Sequence, residues 1–546
     1  MKKQVFSFLL ALVLVVMMIP LTVSAADTDV AKIGNVSYAS LADAINAATD
    51  GQTVEVLKDC NFAGATISKN ITVKAAEGLT AKPLITTAAS VVPGVNTNLT
   101  FEGLAFYSTK NVFSFGDGSG SSTLNLKNCD VESNGYYCVF IDKNGITLNI
   151  EGGKYRSNWG VVICGATMPK TDEERTKITV NINGAEMTQT ANVGGMYAVI
   201  SNGNGKSNIE INVENSTLFA QAPEGATGGA CIKIGGNGGT NNITDKNVLN
   251  IRNSILKSNV QYGIYVARTL KTDITLENSE ILLENPTAAT AGSCVKVDGS
   301  TENVTLTVKG DNSKLNSKSQ YCIYFNGSKN AVINLDGGKL IVEETGITSV
   351  WAVSTYNTPA DAPATVNVNG SEIDTAKVSL SLDGSTKLNV TAGNIHEEKS
   401  ILYTNGTQQT AKDHPFTGTQ YVQLLKGTTK DSESTNVRFA MQVPTEGYAK
   451  YGYLVSVNNK ILFFGLANGE KIRSTETTTL FSSIYANGEK IGSDVEGQSW
   501  LALGIDGVLN ADFDTEIRIR PYAIDASGKI ILGETYAFTV SDLLNR

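Results

Sequence analysis

Histidine is almost absent from this 546-residue chain, which holds only His396 and His414. A Ser-His-Asp relay or a histidine-rich metal site is therefore excluded from everything that precedes them. No C-x-x-C spacing occurs among the seven cysteines, which removes the common zinc arrangements. No two aspartates adjoin and no acidic cluster occurs on the second strand run of the coils, so neither a paired-carboxylate hydrolase nor a calcium cage is legible. Charged residues make up only 18%, the net charge is −9 and no basic run is present. That balance argues against nucleic acid and anionic membrane surfaces as partners. No G-x-G-x-x-G opens a helix. Gly205-Lys206-Ser207 resembles the end of a phosphate loop, but Ile200 stands where the upstream glycine is required. No cofactor and no metal is read from the chain.

Apolar runs are short, with one exception at the start. Lys2 and Lys3 precede an apolar stretch from Phe6 to Ile19, and Val23-Ser24-Ala25 fits a cleavage site. Residues 1–25 are read as a removable secretory signal. The run is short for a membrane span and ends at Pro20. After removal no membrane span is expected, and the exported product is read as a monomer.

What the chain has in abundance is glycine, 52 of them, and one recurring phrase. It reads LNLKNCDV at Leu124, LNIEGGKY at Leu148, VNINGAEM at Val180 and INVENSTL at Ile211. It returns at Leu249, Ile274, Ile333, Val366 and Leu388, with looser copies at Ile71, Leu99 and Leu306. The alternation is that of a strand with one apolar face. The Asn/Gly slot marks a backbone position of positive φ. Each copy predicts strand, sharp turn, strand, and stacking alone lets such units bury their apolar faces. About twelve coils are expected on that count.

A second run completes each coil: YYCVFID from Tyr136, GVVICG, YAVISN, ACIKIG, GIYVAR, SCVKVD, YCIYFN and WAVSTY. Five of these hold a cysteine, at Cys138, Cys164, Cys231, Cys294 and Cys322, with Ala198, Gly263 and Ala352 in the matching place elsewhere. The slot selects a small residue. Strand parity alone turns it outward, whereas a place at the bend entering the strand buries it, and burial is expected. Stacked strands also make a Cys294–Cys322 disulfide conceivable. Strand parity turns Phe140, Ile163, Ile200, Lys233, Tyr265, Lys296 and Tyr324 outward, with Asp142, Asn202, Asp298 and Asn326 two residues on. The same parity sends Tyr137, Tyr197, Tyr262, Tyr321 and Trp351 inward, as core. Residues 166–177 and 235–247 read as solvated loops.

Leu41, Ala44, Ile45 and Ala48 predict a short amphipathic helix, opened by a Ser40–Asp43 capping box and ended by Gly51. It leads into a strand from Thr53 and is expected to cover the open end of the stack. The opening Y-x-S-L-x-x-A-I-x-x-A-x-x-G-x-T-V, from Tyr38, resembles right-handed parallel β-helix proteins of the pectate-lyase-like fold, many from Gram-positive bacteria. The resemblance covers roughly residues 31–396 and is unspecific for activity. The fold expected is all-β: a right-handed parallel β-helix over 26–396 with an N-terminal cap helix, then a small antiparallel β-sandwich. Residues 397–435 read as a linker. Residues 436–546 carry the strand runs VRFAMQV, YGYLVSV, WLALGI and TEIRIRPYAI, with hairpin turns at Asn487-Gly488 and Asp525 to Gly528. This module is similar to immunoglobulin-like C-terminal modules of exported clostridial-type proteins.

Three functions are weighed. Lys233, Tyr265, Lys296 and Tyr324 alternate cation and aromatic, beside Asp298 and Asn326; such a strip suits sugar rings and their carboxylates. The expected role is a secreted or cell-surface, non-catalytic binding or scaffold protein that contacts polysaccharide. The resemblance implies an alternative, a polysaccharide lyase acting on uronate polymers with an Arg or Lys base; Arg268, flanked by Lys233 and Lys296, is the candidate. The third reading is a structural spacer or adhesin with a protein partner.

Overall fold

The computed structural model describes residues 28–545, apart from 117–119, 166–176, 191–197, 203–207, 222–227, 236–245, 270, 285–291, 300, 344–350, 376–377, 384–385, 396–400, 404–419, 425–427, 458–459, 468–469, 472–477, 487–488, 492–494, 526–529 and 534–535. The signal segment, Tyr197, both histidines, most of the two loops and the two hairpin turns lie outside the described residues.

Each phrase makes two strands around a left-handed residue. Thr123–Lys127 and Asp130–Ser133 flank Asn128, whose φ is 47°. Asn215, Asn253, Asn278, Gly152, Gly184 and Gly310 hold the same place, with φ between 47° and 86°. Only residues that tolerate this region fit the turn. The turn N–H groups donate up the stack, Gly152 to the Asn183 carbonyl at 2.7 Å and Gly184 to that of Glu214 at 3.0 Å. The residue after the turn is small. A Cβ on Gly153 would come within 1.9 Å of the Cys129 carbonyl oxygen.

Successive copies stack as parallel strands in register, aligning Leu124, Leu148, Val180, Ile211, Leu249 and Ile274. These apolar side chains are fully buried. On the opposite face Asn149, Asn181, Asn212 and Asn250 each donate an amide N–H to the asparagine one coil below, at 2.8 to 2.9 Å. This ladder satisfies polar groups that in-register stacking forces together.

The two phrase strands of every coil belong to one 26-stranded sheet, and the second runs form an eleven-stranded parallel sheet from Phe113–Phe115 to Ile401–Tyr403. The whole is a parallel β-solenoid of about nine turns, fewer than the twelve copies of the phrase. At Val366 and Leu388 the two phrase strands run together as Thr365–Thr375 and Lys387–Ile395. At Ile71 the coil meets the eleven-stranded sheet through a single bridge, Val91 to Phe113, rather than as a strand. Counting phrases therefore overcounts complete turns.

Helix α1 (Leu41–Ala47) is N-capped by Ser40, which accepts from the Asp43 N–H at 3.1 Å. Leu41, Ala44 and Ile45 join the solenoid core, so the helix does cover its end. The Lys69 ammonium donates to the Ile45 and Asn46 carbonyls, at 3.1 and 2.6 Å, where the helix leaves them unpaired. An antiparallel hairpin, Ala31–Ile33 with Val36–Tyr38, also covers the first parallel strand. The sequence reading did not anticipate it. No described helix is long and apolar enough to cross a membrane.

At the other end, Ile401–Tyr403 and Gln420–Leu424 are strands inside the stretch read as linker. The first continues the eleven-stranded sheet; the second pairs with Ser434–Pro444. Separate antiparallel sheets follow, and their inner faces share a core of Val437, Phe439, Met441, Tyr453, Ile519 and Leu503. Leu454 and Tyr522 point the other way and belong to the core of the solenoid.

Candidate functional site

The eleven-stranded sheet places the residues of interest. Its inward row aligns Val139, Val162, Ile200, Ile232, Ile264, Val295, Ile323 and Val353. Its outward row aligns Phe140, Ile163, Ser201, Lys233, Tyr265, Lys296, Tyr324 and Ser354. Ile200 was expected outward. It is buried core, because Ser201 is the residue in register. Asn202 is likewise buried, its side-chain oxygen accepting from the Gly235 N–H at 2.7 Å.

Parity fails at the strand entrance. Cys322 and Ile323 are consecutive and both fully buried, so the chain turns there and Tyr321 emerges on the same face as Tyr324. The two rings stack, 4.3 Å apart at 10°. Tyr262 and Tyr265 repeat the arrangement at 5.0 Å and 12°, and Trp351 stacks on Tyr321 at 5.3 Å. The described members of the series read as core, Tyr137, Tyr262, Tyr321 and Trp351, thus form a second aromatic row on the outer face. Its signal was in the sequence as YGIY and YCIY, an aromatic pair three residues apart.

The cysteine slot is buried, as expected, but four of the five occupy it. Cys138, Cys231, Cys294 and Cys322 precede the inward row, whereas Cys164 lies opposite Ile141. Val161 and Val199, not Ala198, fill the slot in the coils between. The thiols of the slot cysteines donate to carbonyls of the neighbouring strands, as Cys322 does to Leu315 and Ile341 at 3.3 and 3.1 Å. Burial pushes the Cys231 thiol up to about 12, so it stays protonated and unreactive. All seven cysteines are free, including Cys294 and Cys322.

Lys296 lies between Tyr265 and Tyr324 in the outward row, only 4% exposed. Its ammonium sits 3.5 Å from the centroid of the Tyr324 ring and 4.0 Å from Asp298. Lys233 is also buried, 6.0 Å from the Tyr265 ring. Neither is the open cation that the sequence suggested: Lys296 fills the floor between two rings, and Lys233 lies between Ser201 and Tyr265. Asp298 accepts from the Asn326 side-chain amide and the Gly299 N–H, each at 3.0 Å. Burial raises the Tyr265 hydroxyl, with help from Asp298, while Arg268 acts the other way. Arg268, Tyr265, Lys296, Asp298, Tyr324 and Asn326 are therefore brought together. Among the described residues no group of His, Cys, Asp or Glu could hold a metal ion.

Burial lowers the Lys296 ammonium from its ordinary value to about 8, Asp298 opposing. A lysine depressed in the folded state favours the unfolded chain wherever both are protonated. Stability should rise with pH between about 8 and the unfolded value near 10.5. Lys296→Met is expected to melt higher than the parent at neutral pH, with the advantage shrinking across that window. A constant advantage over pH 7 to 11 in calorimetric scans would remove the electrostatic cause.

Comparison of the chain with protein-family models, curated proteins and solved structures finds no match in any of the three.

Proposed function

We propose that this is an exported, non-catalytic protein that binds an acidic polysaccharide along the outer face of the eleven-stranded sheet. Sugar rings would lie on the stacked tyrosines, whose flat apolar faces and hydroxyls suit them. The signal pattern of the opening stretch supports export.

The observation that carries the reading is Arg268. It is exposed at the end of Tyr262–Ala267 with a φ of 56°. The equivalent turn residues one, two and three coils on are Gly299, Gly327 and Asn357. Apart from Ser121 and Arg268, every described non-glycine residue of positive φ is asparagine. A long side chain there costs roughly 1–2 kcal/mol, and strain of this kind collects at functional positions. The chain carries −9 overall, yet Arg268, Lys233 and Lys296 surround the tyrosines against the single carboxylate of Asp298. Among the described residues that local excess favours a polyanion.

Arg268→Gly separates the roles. It should raise thermal stability, by roughly 1 kcal/mol, while weakening retention in polygalacturonate affinity gels about tenfold. Loss of retention with no gain in stability would make the arginine a structural residue. If polygalacturonate and other acidic glycans fail to retain the parent protein at low salt, the binding reading is wrong.

A lyase is the second reading, favoured by the Lys296 ammonium near 8 beside Asp298, since a base is most useful near the working pH. Release of unsaturated uronate in the same assay, abolished by Lys296→Met, would replace the binding reading with this one.

A further inference from the structure

The aromatic pair of the site has a third copy far from it. Tyr137 and Phe140, in YCVF, stack at 5.6 Å and 23°. They stand in the same two outward rows as Tyr262/Tyr265 and Tyr321/Tyr324. Tyr136 and Trp159 extend this pair around the corner of the coil, their rings 5.2 Å apart, with Tyr136 46% exposed. Amides line the same corner. The Asn158 side chain donates to the Asn134 carbonyl and amide oxygens at 2.8 and 2.9 Å, and the Thr190 hydroxyl donates to Asn158 at 2.9 Å. Exposed flat rings beside side-chain amides offer a sugar both an apolar face and hydrogen bonds. The solenoid core does not need them, since Cys138, Val139 and Ile141 already fill it beneath.

We propose that Tyr136, Tyr137, Phe140 and Trp159 form a second glycan platform, which holds another segment of the same acidic polysaccharide chain that the Tyr265 site holds. This rests on the reading above. The spacing defines the ligand. From Phe140 the row passes Ile163, Ser201 and Lys233 before Tyr265, four rungs away. A rung advances about 4.8 Å, so the platforms lie about 19 Å apart along the axis. One rung is close to the advance of one ring in an extended pyranose chain. Ile163, Ser201 and Lys233 are buried, so the chain crosses above them and touches down at both ends. The second contact is then intramolecular, and its gain depends on ligand length. Short oligosaccharides reach one platform, and long ones reach both.

The test uses oligogalacturonides of about two and about ten rings; at about 4.8 Å per rung the first falls short of the gap of about 19 Å between the platforms and the second spans both. Calorimetry on the full chain should give about 100-fold tighter binding of the longer one. Tyr136→Ala with Trp159→Ala should erase that gain and leave the shorter ligand's affinity unchanged. Tyr136→Ala alone, at an exposed ring, should erase part of it with an unaltered melting temperature. Equal affinities for both lengths in the parent, or a gain that survives the double substitution, overturns the second platform while the Tyr265 site stands. Loss of the shorter ligand in the double variant overturns it too, because the platforms would not be separate. Failure of the parent to bind either length overturns both readings together.

Discussion

Leu454→Asp is expected to detach the C-terminal sheets from the solenoid and to cost roughly 4 kcal/mol or more, the range of an unpaired buried charge. Leu454 is fully buried, yet it points away from the core of its own sheets. Tyr451, Tyr453 and Val455 alternate with it and fill that core, while Leu454 and, on the neighbouring strand, Tyr522 join the core of the solenoid. The strands Lys387–Ile395 and Lys460–Ala467 meet there. The C-terminal sheets therefore do for the last coils what α1 does for the first: they cover apolar core that has no further coil to stack on. The variant should bind a hydrophobic dye, become sensitive to protease and sediment as aggregate. Leu454→Met should lose less than about 1.5 kcal/mol. An Asp variant with an unchanged melting profile would mean that the C-terminal sheets are independent of the solenoid.

Removing two rings of the binding face should have the largest functional effect. Tyr265→Ala with Tyr324→Ala takes away one member of each stacked pair and uncovers Lys296. If each ring is an anchor worth about 2 kcal/mol, the double variant loses about 4 kcal/mol, close to a thousandfold in Kd. Both side chains are only half-buried and outward, so the fold should survive. The paired Phe substitutions keep the stacking and should keep most of the affinity. Retention of the double Ala variant on polygalacturonate at parental strength would remove the tyrosines from the site.

Much of the scaffold was readable because its constraints are local. The Asn/Gly slot needs positive φ, so Asn128, Gly152 and Asn215 announce the turn without any tertiary information. The Ser40–Asp43 cap and the apolar stripe of α1 are equally local. The row Lys233, Tyr265, Lys296, Tyr324 followed from alternation. Alternation misplaced Tyr262, Tyr321 and Trp351 because it assumes that no two neighbours face the same way. The turn at the cysteine slot breaks that rule. Ile200 was misassigned because nothing local fixes the phase of its strand: Ser201 is the residue in register with Ile163 and Lys233. Burial of Lys233 and Lys296 was also invisible, since it depends on rings contributed by the next coil.

By itself, then, the sequence determined a stacked, all-β solenoid with a capped start, the position of its turns and one outward row. Those properties follow from periodicity and from the φ preferences of single residues. Only the tertiary structure decided how many turns are complete, that Leu454 and Tyr522 close the far end, and that the aromatic residues form two rows rather than one. These depend on contacts between residues 20 or more positions apart (Tyr265 to Lys296, Lys296 to Tyr324). The register of stacking sets such contacts, and no single coil contains that register.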